Sequence, residues 1–262
     1  MIDCIKMSNI CKFQFKDGKA VKQLFSMLKD VLDDVMFCIT SNKIQVMNMN
    51  GDEDILIDLT IEVDKLDVFE LKKDKILFSV DCNLLYKILN YCESKKPVEF
   101  FIKDDHYMDG VVTFLNIKLS NDISNYCLKT VENNVEIVCD KLDYIHECMV
   151  DSKLLVKKLR CCLFNADVVE FTYRDNEFFI ENTNEYVKIR NKIENKPMLS
   201  QNHDEYNEQF LSKNLKIITK MSSFSETIDF CFLPDSPLLL ELPVYDFGSL
   251  NVYFKHMTMP IE

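Results

Sequence analysis

The chain has 262 residues, 47% of them hydrophobic, and 31 basic against 43 acidic side chains give it a formal net charge of −12. This composition predicts one large globular domain or two of ordinary size, and it excludes a disordered chain. The acidic balance argues against a simple basic nucleic-acid binder unless the positive charge is segregated. No apolar run of about 18 residues and no apolar leader is present, so we expect a soluble intracellular protein.

The first predicted helix follows Asp17 and continues to Val35. Its apolar side chains recur at steps of three and four residues, which places them on one buried stripe. Lys22 and Lys29 lie on the opposite side. Beyond the helix, short runs of aliphatic and aromatic residues are typical of strands. Strands are therefore predicted at residues 5–15, 37–40, 43–49 and 55–63.

A second unit has the same layout. Strands are predicted at residues 68–71 and 76–80, and Asp81 then caps a helix that continues to Cys92. Lys87 points outward from this helix. Three more strands are predicted at residues 98–103, 110–119 and 124–131.

Residues 132–143 form a polar, acidic segment with weak periodicity, which we interpret as a connector between two halves. The second half repeats the layout of the first. A strand at residues 144–150 leads to Asp151, which caps a third helix that ends near Leu163. The remaining predictions are strands at 168–173, 177–181 and 185–193, a loop at 196–206, a fourth helix at 207–221, and strands at 227–233, 238–242 and 250–254.

The starts of the four helices reveal an internal repeat. They lie near Ala20, Asp81, Asp151 and Leu211, at separations of 61, 70 and 60 residues, and the wide gap contains the connector. Four copies of a unit with one helix and several meandering strands predict an α+β fold, in which helices cover one face of antiparallel sheets. We therefore expect two similar halves, an N-terminal domain at 1–131 and a C-terminal domain at 144–262.

The predicted helices carry a positive excess although the protein is acidic. The four helical segments hold 11 basic and 6 acidic residues, whereas the rest of the chain has a net charge of −17. Two lines of cations each follow one helix face: Lys153, Lys157 and Arg160 on the third helix, and Lys213, Lys216 and Lys220 on the fourth. On a single helix such lysines are ordinary solvated residues. Their recurrence favours contact with a phosphate backbone, without readout of bases.

Little in the sequence favours an enzyme or a metalloprotein. The four glycines are isolated, so no phosphate-binding or dinucleotide-binding loop is formed. The eleven cysteines include no CxxC pair and the four histidines are not spaced to complete a zinc site, so we expect reduced thiols and no cofactor. The adjacent carboxylates Asp33 and Asp34, and likewise Asp104 and Asp105, have no third ligand or base nearby, as is typical of solvated pairs.

Three long segments resemble one protein family. They are AVKQLFSMLKDVLDDVMFCITSNKIQVMNMNGDEDILIDLTI at 20–61, ADVVEFTYRDNEFFIEN at 166–182, and LKIITKMSSFSETIDFCFLPDSPLLLELPVYDFGSLNVYF at 215–254. Their order and spacing are similar to those of eukaryotic-type sliding clamps, the proliferating cell nuclear antigen (PCNA) family. The resemblance implies a ring, most often a homotrimer, that encircles duplex DNA and holds a polymerase on its template during replication and repair. It implies a clamp loader as a further partner and the nucleus, or another site of DNA replication, as the location.

The resemblance also implies which residues contact DNA. The matching helix positions carry Lys22, Lys29, Lys87, Lys213 and Lys220. In the third helix, however, the register puts Leu159 and Leu163 where the family usually has basic groups. We expect Lys153, Lys157 and Arg160 to substitute there, with Lys216 as an additional cation on the fourth helix.

Two further surfaces follow from the same resemblance. An outer apolar groove for partner peptides, beneath the connector, would involve Met49, Leu56, Tyr144, Pro237 and Phe254, although plain core packing is an alternative for each. Subunit contact would pair the edge strands at 124–130 and 185–192, and so involve Tyr126, Lys129, Tyr186 and Lys188. The connector lacks the family's Gly-Ile-Pro-like end, and Lys255 and His256 replace a small residue and proline, so the preference for partners is expected to differ.

The competing hypothesis is a clamp-fold regulator or adaptor, in transcription or repair, that keeps the architecture but does not encircle DNA. The oligomeric state and retention on closed DNA discriminate between the two hypotheses.

Overall fold

A computed structural model describes residues 8–119, 125–132, 137, 139, 142–164, 166–183, 187–200 and 205–257, without the side chains of residues 199 and 200. Most of the predicted connector and the predicted interface residue Tyr186 lie outside these ranges. Within them the chain separates into two compact units. The first contains the described parts of Met1–Asn48, Leu59–Ile137 and Tyr245–Gly248, and the second those of Met49–Asp58, Val138–Val244 and Ser249–Glu262.

Strands and short helices alternate along the described chain. The α-helices are α1 Gly18–Leu28, α2 Cys82–Leu89, α3 Ser152–Cys162, α4 Ser212–Leu215 and α5 Ile218–Met221, and two 3-10 helices lie at Val63–Lys65 and Asp104–His106. The strands up to residue 129 are β1 Asn9–Phe15, β2 Asp34–Thr40, β3 Lys43–Met49, β4 Ile55–Glu62, β5 Val68–Leu71, β6 Lys75–Asp81, β7 Val98–Lys103, β8 Tyr107–Met108, β9 Val111–Val112, β10 Phe114–Leu119 and β11 Asn125–Lys129. The later strands are β12 His146–Asp151, β13 Val168–Arg174, β14 Glu177–Thr183, β15 Lys188–Ile193, β16 Asn195–Ser200, β17 Tyr206–Leu211, β18 Thr227–Phe232, β19 Leu238–Val244 and β20 Gly248–Phe254.

Three of the helices begin with an aspartate cap. The Oδ1 atom of Asp17 accepts from the backbone N–H of Lys19 at 2.9 Å. In the same way, Asp81 accepts from Leu84 and Asp151 accepts from Leu154, each at 2.7 Å. Each carboxylate satisfies an N–H group that has no partner inside the helix, and its negative charge complements the helix dipole. Asp81 and Asp151 are also the last residues of β6 and β12, so the same strand-to-helix junction occurs in both halves.

The first unit is built from antiparallel strands around an aromatic core. One sheet has the order β11-β10-β7-β1-β5, and the strands β6-β2-β3-β4 are neighbours in a second. Phe13 of β1 lies opposite Phe100 of β7, and their stacked rings are 5.0 Å apart. Helices α1 and α2 pack side by side, and α2 also contacts β2, β6 and β11.

The second unit repeats this plan. One sheet has the order β15-β14-β13-β17, and the strands β16-β12-β18-β19-β20 are neighbours in another. Phe178 and Phe230 are fully buried between them, with ring centroids 4.9 Å apart. Helix α3 packs against β14, β15 and α5. The predicted α+β class, with few helices and many antiparallel strands in repeated units, is therefore confirmed.

Helix α1 is shorter than predicted. It ends at Leu28, and the backbone N–H of Asp30 then bonds to the carbonyl of Met27 at 3.1 Å in a tighter turn. Leu32 and Val35 are buried as the apolar pattern requires, but they lie in the following turn and in β2. Strand β2 forms because it pairs with β6 from Asp34 to Thr40. This long-range pairing overrides the local helical spacing.

The predicted fourth helix is also different. Residues 206–211 form strand β17, which pairs with β13, and only then do the two single turns α4 and α5 follow. The strand has a period of two, since Tyr206 and Phe210 are buried while Asn207 and Gln209 are exposed. The predicted loop at 196–206 likewise contains a strand, β16, which lies beside β12 despite Pro197.

Neither disulfides nor membrane helices are found in the part of the chain that the structure describes. Its ten cysteines are free thiols. No described helix has the length and apolarity needed to cross a bilayer.

Candidate functional site

The described α-helices carry only positive charge, whereas the acidic residues Asp64, Asp104 and Asp105 lie in two 3-10 helices. Among the described residues, α1 to α5 contain nine basic and no acidic side chains. The basic residues are Lys19, Lys22, Lys87, Lys153, Lys157, Lys158, Arg160, Lys213 and Lys220. The six acidic residues that the sequence places in helical segments lie outside the helices, as N-caps, in turns or in strands. The segregation of charge is therefore sharper than the sequence suggested.

Helix α3 presents the most accessible cations. Lys153, Lys157 and Arg160 are exposed at spacings of four and three residues, and they form no ion pair with any described residue. The opposite side of the helix is buried, with Leu155 and Leu159 inaccessible to solvent. Three long cations on a rigid helix can thus reach a phosphate chain without first breaking an internal bond.

Two lysines of the first unit have internal partners. The Nζ atom of Lys22 donates to the backbone carbonyl of Asn90 at 3.0 Å, which ties α1 to the end of α2. Lys29, the C-cap of α1, pairs with Asp30 at 3.0 Å and lies 5.0 Å from the ring centre of Tyr86. The hydrogen bond to Asp30 raises the pKa of Lys29 above its ordinary value. Lys87 is exposed. Contact of Lys22 or Lys29 with DNA would therefore replace an existing interaction.

In the second unit, Lys213 is paired with an acidic turn. Its ammonium group contacts the carboxylate of Asp52, and this hydrogen bond raises the pKa of Lys213. The neighbouring Asn214 donates to Asp54 Oδ2 at 3.2 Å, so α4 is fixed to the turn at two points. Lys216 is exposed and Lys220 half-buried. The structure thus places all nine predicted cations on or beside helices. Lys22, Lys29 and Lys213 have internal partners, whereas the cations of α3 do not form ion pairs with described residues.

The predicted peptide-groove residues differ widely in exposure. Met49 is 41% exposed, whereas Leu56 is buried and Phe254 is fully inaccessible. Tyr144 is half-buried, and its hydroxyl donates to the carbonyl of Pro237 at 3.3 Å. Phe254 therefore has no surface to offer a peptide in this conformation, because it belongs to the core.

A cavity of about 620 Å³ adjoins Tyr144 in the second unit. The residues that line it are Leu142, Asp143, Tyr144, Ile145, Glu147, Cys231, Leu239, Glu241, Asn251 and Tyr253. Of these, the sequence-based groove includes Tyr144 alone. The alternation of β20 could have indicated Tyr253, because a residue next to the buried Phe254 must face the other side of the sheet.

The predicted subunit contacts fall on sheet edges. In the first unit, β11 is an edge strand on which Lys129 is exposed, and Tyr126 stacks on the 68% exposed Tyr91 with ring centroids 6.5 Å apart. In the second unit, β15 is an edge strand with Lys188 exposed. Tyr186 lies outside the described residues. Unpaired edges of this kind are templates for pairing with another chain.

The carboxylate pairs of the sequence do not form a metal site among the described residues. They contain no group of three or more His, Cys, Asp or Glu side chains that could hold a metal ion. Asp104 instead faces Lys72 at 3.8 Å, and Asp33 is exposed.

Comparisons with known proteins agree with this geometry. Residues 10–138 match the model of the proliferating cell nuclear antigen N-terminal domain. The chain is 24% identical over 254 residues to the "Probable DNA polymerase sliding clamp 1" of Paramecium bursaria Chlorella virus 1, covering 89% of this chain and 92% of that protein. It is 22% identical over 238 residues to "Proliferating cell nuclear antigen 2" of Plasmodium falciparum, covering 86% and 88%.

The solved structures show the same fold. The crystal structure of proliferating cellular nuclear antigen from Entamoeba histolytica superposes with a TM-score of 0.84 at 16% identity, covering 95% of this chain and 99% of that one. The chain is therefore a divergent member of the proliferating cell nuclear antigen family of sliding clamps.

Proposed function

We propose that this chain is a DNA sliding clamp: copies of it form a ring around duplex DNA and tether a DNA polymerase as a processivity factor. The observation that carries the proposal is that the described α-helices bear only cations in a chain whose net charge is −12. The relatives named as sliding clamps support it. The role is non-enzymatic, and it is exercised inside the cell, in the nucleus or at another site of DNA replication.

The chemistry of the helices suits sliding. Lysine is a flexible point charge that binds phosphate without fixing a base register, so its contacts are equivalent at every position along the duplex. Binding by such contacts releases counterions and weakens as salt increases. The exposed Lys153, Lys157 and Arg160 supply the readily available contacts, and Lys22, Lys29 and Lys213 exchange their internal partners for phosphate.

Ring closure would join the edge strand β11 of one copy to β15 of the next. This pairing would satisfy the free backbone groups of both strands, and a head-to-tail contact of this kind closes into a ring. We propose a homotrimer, with Tyr126, Lys129 and Lys188 at each contact. The polymerase, the clamp loader and other clamp-binding peptides would dock elsewhere on the surface, where Met49 and Tyr144 are accessible.

Topological linkage distinguishes a clamp from an adaptor that does not encircle DNA. The protein is incubated with linear duplex biotinylated at both ends, the ends are blocked with streptavidin, and the salt is raised to about 0.3 M to remove electrostatic contacts. A threaded ring stays on the blocked duplex and leaves the open one. In the matched control, streptavidin is added before the protein, which prevents threading.

Light scattering on the same sample gives the mass. A homotrimer of the 30.8 kDa chain has a mass of about 92 kDa. A stable monomer at micromolar concentration, lost equally from blocked and open duplex, would refute the clamp and favour the adaptor.

A further inference from the structure

Two asparagines reach from a sheet of the second unit to the last turn of α3. The side-chain amide of Asn182, on β14, donates to the backbone carbonyl of Cys162 at 2.7 Å. The amide of Asn191, on the edge strand β15, donates to the carbonyl of Lys158 at 3.4 Å and to the sulfur of Cys162 at 3.2 Å. The last carbonyls of a helix lack partners inside it, and Asn182 supplies one to Cys162. The two side chains thus fix the end of α3 to the sheet.

These bonds form a closed network around Cys162. The thiol is fully buried, and burial raises its pKa, so it stays protonated and donates to the carbonyl of Ile180 at 3.5 Å. Ile180 lies directly opposite Asn191 in the ladder between β14 and β15. Asn191, Cys162 and Ile180 are therefore linked in a loop of contacts, which a shift of α3 along or around its axis would break.

The asparagines are not the residues that stability alone favours. Asn182 is 2% exposed, and its Oδ1 atom has no hydrogen-bond partner among the described residues. A buried polar atom of this kind lowers stability compared with an apolar side chain of the same shape. In coiled coils, a buried asparagine fixes the register of the helices at such a loss of stability. The same logic favours a role of the two asparagines in setting the register of α3.

The cations of α3 remain available because the helix is held from its other side. Lys157 and Arg160 are exposed, Arg160 in the last turn, and neither forms an ion pair with a described residue. In α1 and α4, by contrast, Lys22 and Lys213 are themselves bound to a carbonyl and a carboxylate. Amides that bind the backbone and thiol of α3 fix this helix without occupying its cations.

Small movements of the helix matter for these cations. A side-chain tip lies about 6 Å from the axis of an α-helix, so a rotation of about 20° displaces it by about 2 Å. Such a displacement takes an ammonium or guanidinium group out of hydrogen-bond distance from a phosphate oxygen. An anchor at the last turn of α3 therefore determines whether its cations reach a duplex together.

We propose that Asn191, assisted by Asn182, is a positioning residue for DNA binding: it fixes the rotation and axial register of α3 so that Lys157 and Arg160 meet the phosphate backbone together. The inference rests on the proposed function, because it requires that α3 contacts the duplex. Asn191 is the member to change, since it is half-buried on an edge strand, where a replacement disturbs the core least.

The test is a double-mutant cycle in the full chain. Asn191→Leu removes both amide bonds and keeps a side chain of similar size. Fluorescence anisotropy with a labelled duplex at about 50 mM salt should show DNA binding weakened about three- to tenfold. The slope of log affinity against log salt should fall by up to about 1.8, the contribution of two phosphate contacts. In the Lys157→Gln/Arg160→Gln background, Asn191→Leu should not weaken binding further, because the cations that it positions are absent.

A matched control is offered by Asn195→Leu. The amide of Asn195 donates to the carbonyl of Asn176 at 3.1 Å, a bond that does not involve α3. This variant should keep the wild-type affinity and salt slope. Thermal unfolding verifies that each variant is folded, and Asn191→Ala replaces Asn191→Leu in the cycle if leucine prevents folding.

Two results would overturn the inference. One is a folded Asn191 variant with the wild-type affinity and salt slope, which would show that the asparagine only stabilises the fold. The other is an equal loss of affinity with and without Lys157 and Arg160. The two proposals fail separately: retention on end-blocked DNA without an effect of Asn191 on the salt slope refutes the positioning role alone, and the expected cycle without retention refutes only the clamp.

Discussion

The exposed cations of α3 allow the DNA contact to be tested quantitatively. Lys153, Lys157 and Arg160 have no ion-pair partner among the described residues and lie on a helix whose other side is buried. Changing all three to glutamine removes three charges and leaves the packing of Leu155 and Leu159 unchanged. We therefore expect a folded variant with weaker and less salt-dependent binding to duplex DNA.

The magnitude follows from counterion release. Each phosphate contact adds about 0.9 to the slope of log affinity against log salt, so the three contacts of each copy that engages the duplex contribute about 2.7. Between about 50 and 150 mM salt, the gap in affinity between wild type and variant should then narrow by about 20-fold. Fluorescence anisotropy with a labelled duplex at five salt concentrations measures both slopes.

The control removes three cations that lie outside the α-helices. Lys65, Lys95 and Lys96 are exposed, and their replacement by glutamine changes the net charge by the same amount. If the control lowers the salt slope as much as the α3 variant does, or if the α3 variant keeps the wild-type slope, then the helix cations are only solvated residues and the DNA-contact reasoning is wrong.

Three further outcomes are expected. Asp52→Asn removes the ion-pair partner of Lys213 and should strengthen DNA binding, measured by fluorescence anisotropy, by a factor of up to about 5. The gain should disappear in the double variant Asp52→Asn/Lys213→Gln. An equal gain in that double variant would contradict the role of Lys213 as a DNA contact. Tyr126→Ala removes an aromatic stack worth about 1 kcal/mol beside the proposed subunit contact and should shift the light-scattering mass toward the monomer at low micromolar concentration. Asp229→Asn should raise the melting temperature by about 1–3 °C at pH 7, because it removes the charge of a half-buried carboxylate whose Oδ1 atom has no hydrogen-bond partner among the described residues. Because the pKa of Asp229 is raised in the folded state, its charged form destabilises the fold above that pKa. The difference in melting temperature between variant and wild type should therefore vanish below the ordinary aspartate pKa of about 3.9. A gain in melting temperature that does not change with pH would show that the charge of Asp229 is not its cause.

Local signals sufficed for the elements that end in a cap. The junctions at Asp81 and Asp151 were predictable because a carboxylate at the end of a strand, followed by an apolar stripe, offers a hydrogen bond to the first turn of a helix. The repeat of helix starts rests on the same junctions, which is why the α+β class followed from the sequence.

Long-range pairing limited the rest of the fold prediction. Leu32 and Val35 continue the helical spacing of α1, yet the pairing of β2 with β6 ends the helix before them. Asp33 and Asp34 therefore lie in a bend and in β2, outside the helix in which the spacing placed them. In β17 the alternation that buries Tyr206 and Phe210 was already visible in the sequence. It was assigned to a helix because the residues that follow it have a helical pattern.

The sequence predicted where the site residues lie better than it predicted which partners they contact. The cations lie on or beside helices as expected, but the partners of Lys22, Lys29 and Lys213 come from residues distant in sequence or in turns, which helical spacing does not reveal. In β20, successive side chains point to opposite faces of the sheet, so Tyr253 lines the cavity and Phe254 is buried. The groove prediction rested on the family resemblance alone and named Phe254.

Because the described α-helices carry no acidic residue, ionic strength decides which part of the protein's charge a duplex senses. At about 0.15 M salt the Debye length is about 8 Å, so DNA beside a helix interacts with that helix and little else. At about 0.01 M the length grows to about 30 Å, and the net charge of −12 then acts as a whole and repels the duplex. Salt added to a very dilute buffer therefore first removes this long-range repulsion, and further salt then weakens the local contacts by counterion release. Binding should accordingly pass through a maximum at low salt and decrease above it.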